Sequence, residues 1–217
     1  MCGIAGIFHV ETPKPVSEIR VRAMADALAH RGPDGAGVWT APGVGLGHRR
    51  LSIIDVAGSP QPMPTEDGAL TIVFNGEIYN YREVRAELEA LGYRFRTQGD
   101  TETLLLGYRQ WGPAVLPRLN GMFAFAIHDA RDKSLFMARD RFGVKPLHLA
   151  RLADGSVAFA SELKGLLANP AVRREPDLRA VEDYMALGYV PDDACIVAGV
   201  EKLPAGHWLR LDRKSVV

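Results

Sequence analysis

With 217 residues, 47% of them hydrophobic and 24% charged, the chain can bury one substantial core or at most two small ones, so a single domain is expected. Twenty-six Lys and Arg balance 26 Asp and Glu, which leaves no global field to attract nucleic acid or an anionic membrane and points to a small polar molecule or a protein surface as partner. Cys2 and Cys195 allow one bridge at most, no run approaches the roughly 18 apolar residues of a membrane helix, and no basic-then-apolar leader opens the chain, so a reducing cytoplasm is the expected compartment.

The opening CGIAGIFHV is apolar and rich in small residues, as a buried strand would be. Ser17 is a candidate N-cap for a helix whose apolar stripe is Ile19, Ala23, Met24, Ala27 and Leu28, followed by the glycine-rich loop HRGPDGAG. The segments GVGLGHRRLSIID and ALTIVFNGEIYNY predict strands, with Asn75-Gly76 as a pair that can reverse one strand onto the next. Two helices come after them. Val84, Leu88 and Leu91 recur at helical spacing before Gly92, and a second helix starts at Asp100 or Thr101 with Leu104, Leu105, Tyr108 and Trp111 on one side. GMFAFAIHDARDKSLFMARDR and LHLARLADGSVAFAS each predict a hairpin, the latter turning at Asp154-Gly155, and short helices are expected from Ser161 to Ala168 and from Asp177 to Leu187. Hairpins separated by pairs of helices argue for an α+β fold of antiparallel sheets covered by helices.

Cys2 is the sharpest chemical feature. Removal of Met1 would give a first residue carrying both a thiol and a free amine, and an α-amine of pKa about 7.7 to 8.0 can act as a general base without a histidine. The ordinary role of such a cysteine is that of a small buried apolar residue. Other positions also have ordinary explanations: Asn75-Gly76 as a hairpin turn, Arg50 as a solvated strand residue, Glu77 as a turn flank, Asp100 as a helix N-cap and His30 as a hydrogen-bonded scaffold residue.

Taken together, the blocks CGIAGIF, HRGPDGAG, GHRRLSIID, FNGEIYNY, GDTET, LNGMFAFAI, ARDRFGVKPL and FASELKGL occur in an order that resembles the glutaminase domain of asparagine synthetases, a class II glutamine amidotransferase. The resemblance runs from Cys2 to about Gly206. It implies the four-layer αββα sandwich of N-terminal nucleophile hydrolases, and hydrolysis of glutamine to glutamate and ammonia through a γ-glutamyl thioester. In that scheme Cys2 is nucleophile and base carrier, and the Asn75 side chain with the Gly76 N–H forms the oxyanion hole. Arg50 holds the substrate α-carboxylate, and Glu77 and Asp100 hold its α-ammonium. One cation and two anions complement a free amino-acid zwitterion. Arg31 falls where the family places a loop near the ammonia exit, and the ARDRFGVKPL block is expected to be a structural network without a catalytic role.

The resemblance further implies a domain over 2–206, a tail over 207–217 that begins a linker, and an ATP-dependent synthetase domain as partner, in cis or in trans, with homodimerisation as a further expectation. No cofactor is expected in this domain. ATP and Mg belong to the synthetase domain, whose SGGxDS loop does not occur here, and neither a CxxC pair nor an HExxH announces a metal site. A second reading keeps the fold without the chemistry: a silent module that docks onto or regulates a synthetase partner. A third is a stand-alone amidohydrolase for another amide.

Overall fold

The computed structural model describes residues 1–212. Strand β1 (Gly3–His9) lies inside a six-stranded sheet built with β2 (Gly35–Ala41), β3 (Val44–Arg50), β8 (His148–Arg151), β9 (Ser156–Ala160) and β10 (Val200–Lys202), in the order β10-β8-β9-β1-β3-β2. A five-stranded sheet joins β4 (Met63–Pro64), β5 (Leu70–Ile78), β6 (Gly121–Asp129), β7 (Ser134–Arg139) and β11 (Trp208–Leu211), in the order β11-β7-β6-β5-β4. The paired strands in both sheets are antiparallel.

Side chains alternate between the faces of a strand, and this period assigns each residue to a layer. Ile4, Phe8, Val44, Leu46, Val73, Ala124, Ala126 and Phe159 fill the space between the two sheets. The opposite face of the first sheet carries Ala5 and Ile7 against α1 (Glu18–Asp26) and α4 (Leu163–Leu167). That of the second carries Ile72, Phe74 and Ile78 against α3 (Asp100–Trp111), on which α2 (Tyr81–Ala90) packs in turn. The result is the expected αββα sandwich. A further helix, α5 (Leu178–Leu187), starts at Asp177, whose side chain accepts from two amides of its first turn. A 3₁₀ segment, Gly112–Arg118, continues α3.

Several expectations are corrected. The buried stripe of α1 is Val21, Met24, Ala25 and Leu28, a complete i, i+3, i+4, i+7 set, while Ile19 and Ala23 face solvent. Leu91 caps α2 and is exposed, leaving Val84 and Leu88 to pack. Asn75-Gly76 is no turn: both residues sit within β5, opposite Ala124 and Phe123 of β6, because the strand is buried on both faces from Leu70 to Asn75 and its pairing with β6 continues to Ile78. β3 stops at Arg50, whose side chain draws the carbonyls of Ile54, Asp55 and Val56 back toward it and curls LSIID into a loop. The end of HRGPDGAG belongs to strand β2. The expected tail over 207–217 contains β11, hydrogen-bonded to β7, so the fold continues past Gly206; residues 213–217 of that tail lie outside the described residues. No helix among the described residues is long and apolar enough to cross a membrane.

Candidate active site

One cavity is lined by all six residues singled out from the sequence, together with Met1, Met122, Lys145 and residues of the 51–61 loop. The period of two explains the convergence. Ile4 and Phe8 face the inter-sheet layer, so Cys2, at the head of β1, faces it as well. On β3 the same parity carries Val44, Leu46, His48 and Arg50, and on β5 it carries Val73, Asn75 and Glu77. Three strands from two sheets thus deliver their functional side chains to one end of one gap.

The Cys2 sulfur is held by a single residue: it lies 3.4 Å from the Leu51 N–H, which donates to it, and 3.6 Å from the Leu51 carbonyl. Burial pushes the thiol pKa up, against the Leu51 amide, the neighbouring terminal amine and Arg50, which pull it down. The Cys2 carbonyl accepts from Arg31 Nε at 2.9 Å, and Arg31 Nη1 is tied to Glu162 at 2.6 Å. His30 also reaches Glu162, as a scaffold residue would.

Strand β5 carries Asn75 and Gly76, the pair expected from the sequence to be oxyanion donors. Ala130 N–H donates to Ala69 and Tyr79 N–H to Asn120, so the odd-numbered residues of β5 hydrogen-bond with β6 and the even-numbered ones face the other edge. Along that edge the Phe74 N–H is taken by Gln61 Oε1 at 2.6 Å and the Ile78 N–H by Asp100 Oδ2 at 3.0 Å. Between them, Gly76 directs its N–H into the cavity. A Cβ at Gly76 would stand 2.3 Å from the Met122 carbonyl, so only glycine keeps this N–H in register. The Asn75 side chain is 1% exposed, and neither its Nδ2 nor its Oδ1 has a hydrogen-bond partner. A buried amide left unsatisfied is costly in a folded protein, and here a carbonyl oxygen bound in the cavity would satisfy its Nδ2 donor.

His48 braces this strand from the first sheet. Burial above all pushes it down to about 4, against the pull of the Phe74 carbonyl, so the ring is neutral and its Nε2–H donates to Phe74 O at 3.1 Å.

The charged residues expected to bind a zwitterion take up distinct settings. Asp100 opens α3 directly after the N-cap Gly99. Burial is the main cause that pushes its carboxyl up to about 6, opposed by the amides it accepts from and reinforced by nearby Glu77. Arg50 lines the cavity while three of its hydrogen bonds go to the loop carbonyls, so it also shapes the rim. Lys145 is the charged residue of the cavity that the sequence did not mark. It closes the ARDRFGVKPL loop, is 3% exposed, and places Nζ 3.1 Å from Met1 Sδ. No local pattern announces it, since only the path of that loop brings it to Cys2. No group of three or more metal-ligating side chains occurs among the described residues.

Comparison with known proteins agrees with this geometry. A family model described as "Glutamine amidotransferase domain" matches residues 1–217. Asparagine synthetase [glutamine-hydrolyzing] 1 of Bacillus subtilis (strain 168) is 44% identical over 209 residues, covering 95% of this chain and 33% of that protein. A putative asparagine synthetase [glutamine-hydrolyzing] of Mycobacterium tuberculosis (strain ATCC 25618 / H37Rv) is 46% identical over 231 residues, covering 97% of this chain and 35% of that protein. The chain therefore spans about a third of the length of these curated relatives. Among solved structures, the glutamine phosphoribosylpyrophosphate amidotransferase from B. subtilis superposes with a TM-score of 0.70 at 20% identity, over 100% of this chain and 48% of that one. An allosteric regulatory enzyme of purine biosynthesis gives a TM-score of 0.73 at 19% identity, over 99% of this chain and 48% of that one, and both likenesses establish the N-terminal nucleophile hydrolase fold. With a family match along its entire length and synthetase relatives above 40% identity, the chain belongs to the glutamine amidotransferase domain family.

Proposed function

We propose that the chain, freed of Met1, hydrolyses glutamine to glutamate and ammonia and passes the ammonia to an ATP-dependent synthetase domain, in cis or in trans, for amide formation of the asparagine-synthetase type. The observation that carries this reading is the unpartnered Asn75 amide and the Gly76 N–H converging on the cavity that holds the Cys2 thiol. Arg50 would take the α-carboxylate of free glutamine, and Glu77 and Asp100 its α-ammonium, which fixes the side-chain amide against the sulfur.

The liberated Cys2 amine takes the thiol proton as the sulfur adds to the amide carbon. The oxygen gains the electron pair and is stabilised by Asn75 Nδ2 and the Gly76 N–H, a pair of donors that can each contribute about 10²- to 10³-fold in rate. Collapse breaks the C–N bond, and the leaving nitrogen departs as ammonia with the proton from the Cys2 ammonium. Water then adds to the thioester by the same route and releases glutamate and the thiol. No metal or cofactor takes part in this half-reaction; ATP and Mg would be needed for the synthetase step.

Glutamate release by the Met1-free chain, measured beside Cys2→Ala, tests this reading; equal rates would refute it. With Met1 retained, the Cys2 nitrogen is held in a peptide bond and cannot act as base. A chain retaining Met1 would be a silent module that docks onto a synthetase partner, and the intact mass of the purified protein separates the two.

A further inference from the structure

The ARDRFGVKPL block has the framework expected of a structural network, and that network has an output. Asp140 is 1% exposed and its two carboxylate oxygens accept from four amides: Phe123 and Lys145 on one, Phe142 and Val144 on the other. Arg139, 6% exposed, donates to the carbonyls of Gly143, Lys145 and Leu203. Lys145 is thereby fixed through both its N–H and its C=O. Its side chain leaves this frame for the cavity that contains Cys2.

There the ammonium is poorly satisfied. Its hydrogen-bond partner is the Met1 thioether, a weak acceptor, and no carboxylate lies within ion-pair distance of it among the described residues. Removal of Met1 takes away even that partner. A nearly buried cation with no carboxylate paired directly at Nζ, on which Asp140 and Glu77 act only at longer range, is costly to keep in a fold, so its position calls for an electrostatic partner in the cavity.

We propose that Lys145 is an electrostatic positioning residue of the Cys2 centre, whose ammonium disfavours protonation of the liberated α-amine and favours the thiolate over the thiol. The proposal deepens the glutaminase reading and rests on it. A nearby cation makes both Cys2 groups more acidic, so the amine is held free to accept a proton while the sulfur yields one more readily. The other charges around this centre are Arg31 and Asp34 after α1, Arg50 on β3, Glu77 on β5, Asp100 on α3 and Asp140 in the loop that carries Lys145. Arg31 and Arg50 are committed to backbone carbonyls and, for Arg31, to Glu162, whereas Lys145 has no such commitment at Nζ. Burial, and then Arg31, lower the pKa of Lys145 itself.

The test is the pH dependence of Cys2 alkylation by iodoacetamide in the Met1-free chain, read at the Cys2 peptide by mass spectrometry so that Cys195 is scored separately. Lys145→Met and Lys145→Gln remove the charge and Lys145→Arg keeps it. The neutral variants should move the midpoint up by about 1 pH unit and slow alkylation at pH 7 several-fold, while Lys145→Arg stays near wild type. An unchanged midpoint in either folded neutral variant overturns the proposal, as does an equal shift in Lys145→Arg. So does failure of both neutral variants to fold, which would make Lys145 a structural requirement. Alkylation does not depend on turnover, and glutamate release by wild type against Cys2→Ala reports separately on the glutaminase reading.

Discussion

Two loops frame the cavity, and both are assembled by an arginine and an aspartate that gather backbone groups, but one device is buried and the other meets solvent. In the loop over 140–145, Arg139 and Asp140 are almost fully enclosed and satisfy seven backbone groups between them. In the loop over 51–58, Arg50 gathers the carbonyls of Ile54, Asp55 and Val56, while Asp55 accepts from the Gln98 and Gly58 amides and from Ser59 Oγ. Both residues of the second device are only half-buried, and Ile53 and Val56 beside them are 63% and 65% exposed. Water competes more for the hydrogen bonds of the outer loop than for those of the inner one, so similar sets of polar contacts carry unequal stability.

Removing the carboxylate of the inner device should have the largest effect. Asp140→Ala leaves four amides without their acceptor, those of Phe123 and Lys145 in buried positions, and is expected to cost about 3–5 kcal/mol in urea unfolding. A loss below about 1 kcal/mol would mean that apolar packing, not the carboxylate, holds this loop.

The next effect sharpens the contrast on the substrate side, where the outer loop docks on the start of α3 through Asp55 and Gln98. Asp100 is pushed up to about 6, chiefly by burial, above its ordinary value. Because the folded pKa is raised, the fold favours the neutral acid: that contribution is complete at low pH and is lost as pH rises through about 6. On the proposed reading the glutamine ammonium needs the ionised form, so KM should rise about fivefold between pH 6 and pH 5, and a flat KM over that unit would remove Asp100 from ammonium recognition.

The smallest effect tests the outer device. Asp55→Asn should lower stability by about 1 kcal/mol or less, since its hydrogen bonds are shared with water. Amide exchange should rise mainly at Gly58 and Gln98. A destabilisation matching that of Asp140→Ala would erase the distinction between the loops.

Much of this arrangement was legible in the sequence, because patterning and motif blocks are local. Cys2, Arg50, Asn75, Gly76, Glu77 and Asp100 were all marked, and all six line one cavity. The misreadings arose where a local signal competed with a longer one. Asn-Gly is a strong turn signal, but the run from Leu70 to Ile78 buries alternate side chains on two different layers and keeps the pair extended. β2 was hidden because GAGVWTA is half-exposed and lacks a clean alternation. Lys145 could not be seen at all, since its place depends on Arg139 and Asp140 folding a loop rather than on any spacing to Cys2.

The grip of Leu51 on the Cys2 sulfur has a consequence for the resting enzyme. A protonated sulfur can give its hydrogen to the carbonyl, while an ionised one can draw on the amide of that same amino acid. Loss of the proton therefore swaps one main-chain contact for another and leaves the atom moored where it is, so the thiol can be charged and discharged without any rotation of its side chain.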